Sequence, residues 1–310
     1  MFVAELRPSL YNSFLTDISN DSHQWDKGNK LMPATQEFIE QIVQKHIPDF
    51  ANRFRVKYTG KGAGLKNLMN KANNPFILAL GEEVVIYSAL MRSLDSSLGN
   101  RLEDIAKEIA EASYLVYQEV EGDVPVSVDK QISDLMTAYT LKKRTPKISD
   151  LNEITSIEHN ETTEHKSHKS DYHLVKKSDP RQHFLLELKI GGDLDNKKDR
   201  SEKQALLEQF FAILKYSARI SSNSIIKLYF ATAYNKFGEE AIWKQGRVTQ
   251  FFSEEELLIG RDFWNFVSDS SEGYNMVIQT YQKYAHLIKA ALEDIIATAK
   301  RSSTRQIPLF

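Results

Sequence analysis

The chain contains no cysteine. Disulfides, thiolate zinc sites and cysteine nucleophiles are therefore excluded, and any redox compartment is permitted. No apolar run reaches the ~18 residues that would read as a membrane span. The opening Met1-Phe2-Val3-Ala4-Glu5-Leu6-Arg7-Pro8 lacks the pattern of a secretory signal, and the expectation is a soluble, cytoplasmic protein. An excess of either charge is missing too: 40 Lys and Arg stand against 42 Asp and Glu, a net charge of −2. Binding to a polyanion would thus need a local basic cleft rather than a basic whole. There is no internal repeat, and the only biased tract is the His/Glu/Lys-rich stretch at 158–169.

What is present suits a folded chain. Of 310 residues, 41% are apolar, enough for one large domain or two modest ones. Periodicity predicts helices over 34–50, with Phe38, Ile39, Ile42 and Val43 on one stripe, and over 76–92 and 100–119. Pro48 is expected to end or bend the first of these. Further helices are expected over 128–143, 198–217 and 274–302, and 152–170 reads as a polar loop or an irregular entry to the sheet. A strand at 225–233 follows the 198–217 helix, so strand, helix and strand predict a parallel pair. The expected organisation is a helical, basic N-terminal region (1–75), a core (76–270) and a C-terminal helix (271–310) belonging to the same domain.

The stretch from Asp171 to Lys189 carries the chemistry. Asp171-Tyr172-His173-Leu174-Val175 reads as a short strand, Ser178-Asp179-Pro180-Arg181 as a turn, and His183 to Ile190 as a returning strand. In a strand Glu187 and Lys189 share one face, while Leu186, Leu188 and Ile190 share the other. A carboxylate and an ammonium in so apolar a strand must be paired or hold a metal. The hairpin brings Asp171 toward Glu187; Asp179 is the rival for the first carboxylate. The bland alternative is a cross-strand ion pair on a half-exposed sheet.

Asp171 followed by Glu187-Leu188-Lys189 resembles the signature of the PD-(D/E)xK nuclease superfamily, and its flanks look like the type II restriction endonucleases within it. Upstream, Ser96-Ser97-Leu98-Gly99-Asn100-Arg101-Leu102-Glu103 is similar to a Ser-x-x-Gly-x-x-x-Glu helix element of such enzymes. Downstream, Gly260-Arg261-Asp262-Phe263-Trp264 looks like a late element of some of them. The resemblance spans roughly residues 83 to 270; Ser170, not proline, precedes Asp171. It implies an α/β fold with a mixed central β-sheet flanked by helices and a helix-rich N-terminal portion.

It also implies Mg²⁺-dependent, sequence-specific cleavage of double-stranded DNA. Asp171 and Glu187 would hold one or two Mg²⁺ together with the carbonyl of Leu188. Lys189 would orient the attacking water, and Glu103 is a further candidate. A homodimer and a DNA methyltransferase encoded nearby are implied partners. Lys197, Lys198, Arg200 and Lys203 cluster at a helix start, where cations oppose the helix dipole; contact with DNA phosphate and a solvated basic face both account for them. Base readout is expected from 51–74 and 234–251. His159, His165, His168, His173 and His183 match no closed zinc spacing and are read as a solvated loop, and Trp243 and Trp264, with Phe263 and Phe266, as core or subunit contacts. Two other classes stay open: a nuclease of the same fold with a repair or structure-specific role, and a non-catalytic DNA-binding protein.

Overall fold

A computed structural model describes residues 33–60, 62–69, 74–155, 162–190, 196–220 and 224–304. The described residues form two compact units, one helical (33–110 with 261–304) and one built on a sheet (111–260). The expected 76–270 core is thus drawn more tightly, since 76–110 belongs with the helices.

The helical unit contains α1 (Gln36–Thr59), α2 (Gly64–Met69), α3 (Pro75–Leu78), α4 (Glu82–Ala110), α8 (Arg261–Ser268) and α9 (Gly273–Thr304). Thr35 caps α1 by accepting from the Phe38 N–H at 3.2 Å. Pro48 lies inside α1 and does not end it. The ring removes one hydrogen bond, but Ile39, Ile42, Val43, Ile47, Phe50, Ala51, Phe54 and Tyr58 form a buried stripe through the proline and beyond it. Tertiary burial outweighs the local break.

The sheet unit contains β1 (Tyr114–Pro125), α5 (Val126–Thr140), α6 (Ser149–Thr155), β2 (Thr163–Lys176), β3 (Gln182–Lys189), α7 (Asn196–Ile220), β4 (Ile225–Thr232) and β5 (Leu257–Ile259). The strands lie in the order β1-β2-β3-β4-β5. The first three pair antiparallel and the last two join in parallel, so the sheet is mixed, with α7 as the crossover between β3 and β4.

Leu206, Leu207, Phe210, Phe211 and Ile213 of α7 pack with Val120 and Val124 of β1, Leu185 of β3, and Leu228 and Phe230 of β4. Gly122 lets the helix approach this closely. A Cβ there would lie 2.8 Å from the Ala212 carbonyl oxygen and 3.0 Å from its Cα.

Two expectations are corrected here. The helix over 100–119 ends at Ala110, and Tyr114 begins β1. The segment 152–170, expected as a loop or irregular entry to the sheet, contains the end of α6 and the first half of β2. His159 lies outside the described residues.

Candidate active site

The β2–β3 register runs from Val175 opposite His183 to Tyr172 opposite Leu186, and one step further sets Asp171 beside Glu187. A bulge aims Asp171. Between the pairs Tyr117–His173 and Glu119–Lys169, β1 advances two residues and β2 four. The surplus falls on Ser170-Asp171-Tyr172, and bulges of this kind re-aim side chains beside active sites. Oδ2 of Asp171 accepts from the Leu188 N–H at 3.0 Å, which ties the carboxylate across to the Glu187–Lys189 segment. Asp179, the rival, is committed to the turn: its two oxygens accept from Arg181 at 2.7 and 2.9 Å and from Gln182 at 3.1 Å. Those bonds hold its carboxyl well below the usual range.

Glu187 is only 9% exposed. Burial, then the neighbouring Asp171, push its pKa up to about 8 against the opposing pull of Lys189. Lys189 ion-pairs with Glu187 and also meets Oε1 of Glu202, on α7, at 3.0 Å. Burial disfavours its ammonium, but the two carboxylates outweigh that and hold its pKa above the ordinary lysine value.

Glu202 was missed by the sequence reading. It stands one turn before Leu206, so it occupies the apolar stripe of the helix, and a carboxylate on that stripe was the available signal. The structure thus gathers Asp171, Glu187, Leu188, Lys189 and Glu202. Lys189 faces Thr232, the last residue of β4, so the 234–251 segment leaves the sheet at the lysine's end.

Glu103 sits on α4 in the helical unit, where it accepts from Lys107 at 2.6 Å. Lys203 is corrected: it is 3% exposed, ion-paired with Glu256 and 4.9 Å from the Phe252 ring centre. A buried, paired ammonium is withdrawn from solvent and from any phosphate there. It too falls on the apolar stripe, one turn before Leu207. Lys198 is exposed and Arg200 half-buried in the first turns of α7; Lys197 belongs to the same first turn.

Among the described residues, the histidines of this set lie on β2 and β3 rather than in a loop. His165 meets Asp123 at 3.2 Å and His168 meets Glu208 at 3.1 Å. His173 and His183 stack, Nε2 to Nδ1 at 3.1 Å. Burial pushes their pKa values down to about 3 and about 4, so both are neutral near pH 7.

The donor set fits a hard divalent cation. Two carboxylates converge, and burial first, then Asp171, raise the Glu187 pKa further than Lys189 lowers it. No group of three or more His, Cys, Asp or Glu side chains able to hold a metal occurs among the described residues. Two carboxylates with a backbone carbonyl suit Mg²⁺, which keeps several waters, better than a metal that demands an all-protein cage.

A family model described as type II restriction endonuclease, HinfI, matches residues 35–285. The chain belongs to that family. The match takes in the whole sheet unit from 111 to 260, most of the helical unit and every residue of the site, and membership makes the protein a DNA endonuclease of the restriction type. The mixed sheet flanked by helices is the fold expected of a HinfI-family member. No curated protein matches the chain. No helix among the described residues is long and apolar enough to cross a membrane.

Proposed function

We propose that this HinfI-family protein is a type II, site-specific endodeoxyribonuclease that cuts double-stranded DNA with Mg²⁺ as cofactor. Asp171 and Glu187, with the carbonyl of Leu188, would hold the ion. When bound, Mg²⁺ neutralises charge on phosphate oxygen and lowers the pKa of its water.

The chain's own residues do the rest. Asp171 is fixed by the Leu188 N–H, so its carboxylate stays beside Glu187. Lys189 keeps its proton, directs the attacking water by hydrogen bonding and offsets charge that develops on the phosphate. Lys197, Lys198 and Arg200 are proposed phosphate contacts, and the 234–251 segment is proposed to read bases. The protein would act as a homodimer on a two-fold symmetric site, and a methyltransferase of the same specificity would protect host DNA.

The observation that carries this reading is the Asp171–Glu187–Lys189 constellation on adjacent strands in a chain of a restriction family. The test is digestion of phage-scale duplex DNA, with Mg²⁺ and with EDTA, beside Lys189→Ala. Discrete bands that require Mg²⁺ and vanish in the variant are expected. A smear would make it a non-specific nuclease of the same fold, and no cleavage with any divalent metal would leave a structural ion pair.

A further inference from the structure

We propose that Glu202 is a positioning residue for Lys189: it holds the ammonium from the helix while Glu187 holds it from the strand. The inference rests on the reading of Lys189 as the group that orients the attacking water. The Lys189 ammonium lies between two carboxylates on different elements, Glu187 of β3 and Glu202 of α7, the latter at 3.0 Å. A lysine head on a four-carbon stem has three donors and many rotamers. A single carboxylate restrains it poorly, and Glu187 has a second demand on it as a cation ligand. With Glu202 in place the ammonium stays directed while Glu187 is engaged elsewhere.

The placement of Glu202 is built into the fold. Its side chain is 23% exposed, and that of Lys189 28%, so their contact is partly screened from water. The next residue, Lys203, is locked beneath the helix by Glu256 and the Phe252 ring. Leu206 and Leu207, one turn on, are buried in the core. Lys203, Leu206 and Leu207 therefore set the rotation of α7, which turns Glu202 toward Lys189.

The experiment compares wild type, Glu202→Ala, Glu202→Gln, Lys189→Ala and the Lys189→Ala/Glu202→Ala double variant. Single-turnover cleavage is measured with Mg²⁺ and duplex binding with Ca²⁺. The ¹⁵N ammonium resonance of Lys189 is followed in metal-free protein, assigned by its loss in Lys189→Ala. Partners that orient active groups through hydrogen bonds are worth about 10–100-fold in activity. Glu202→Ala should lose that much in cleavage rate while binding DNA as wild type does, and Glu202→Gln should recover part of it.

In the Lys189→Ala background the second change should add nothing, because the group it positions is gone. The ammonium resonance should broaden in Glu202→Ala without any metal or DNA present. An unchanged resonance, an unchanged rate, or a full additional loss in the double variant would each overturn the role. Absence of cleavage by wild type would overturn the catalytic reading and this role with it; wild-type cleavage indifferent to Glu202→Ala overturns this role alone.

Discussion

Glu187 is held where a carboxylate does not favour being charged. Burial and Asp171 raise its pKa to about 8, whereas an unfolded glutamate titrates near 4.5. Between those values the folded state binds more protons than the unfolded state, so this group's contribution to stability is present in full below about pH 4.5 and is lost as pH rises through about 8. Glu187→Gln removes that loss. The variant should melt at the same temperature as wild type near pH 5 and higher than wild type at pH 9, in the absence of metal, while losing cleavage. Equal melting shifts at the two pH values would show that the carboxyl is not strained. Perturbed carboxyl groups of this kind cluster at functional sites. This one was legible in advance because a strand's two-residue period puts Glu187 and Lys189 on one face of an otherwise apolar run. Glu202 was not, because a helix start rich in lysine and glutamate reads as solvent-facing until its register with Leu206 is known.

At the scale of elements, the site depends on how α7 rests on the sheet. Its helical span and the parallel β3–β4 pair were readable from apolar periodicity. β1 was not: Tyr114 to Gln118 continues the stripe of the helix before it, and only pairing with β2 makes it a strand. The first half of β2 escaped for the opposite reason. Thr163 to Lys169 is largely polar and exposed, so alternation carries no hydrophobic signal there. α7 approaches β1 closely at Gly122, where an added methyl would meet the backbone of Ala212. Backbone cannot rotate away as a side chain does, so helix or strand must shift. Gly122→Ala should cost about 1–3 kcal/mol, read as a lower urea midpoint with an unchanged slope. By displacing the helix that bears Glu202, it should also slow cleavage at temperatures where the variant is fully folded. An unchanged midpoint would mean that the two elements give way freely.

At the scale of the whole molecule, a net charge of −2 sets the problem of holding a polyanion. Attraction must be local, and the start of α7 is the place where the chain concentrates cations against the preference of its own backbone. Lys198 is exposed in the first turn, where positive charge opposes the helix dipole by about 0.3–1 kcal/mol. Two accounts of it make opposite predictions. If Lys198 is a solvated surface residue, Lys198→Ala raises stability slightly and leaves DNA binding alone. If it neutralises a phosphate, the same small rise in stability comes with weaker binding to every duplex sequence, and the slope of log affinity against log salt becomes shallower by about 1. The second outcome is expected in Ca²⁺-supported binding titrated over a range of NaCl. The sign contrast between stability and affinity makes the result decisive, since damage to the fold would lower both together.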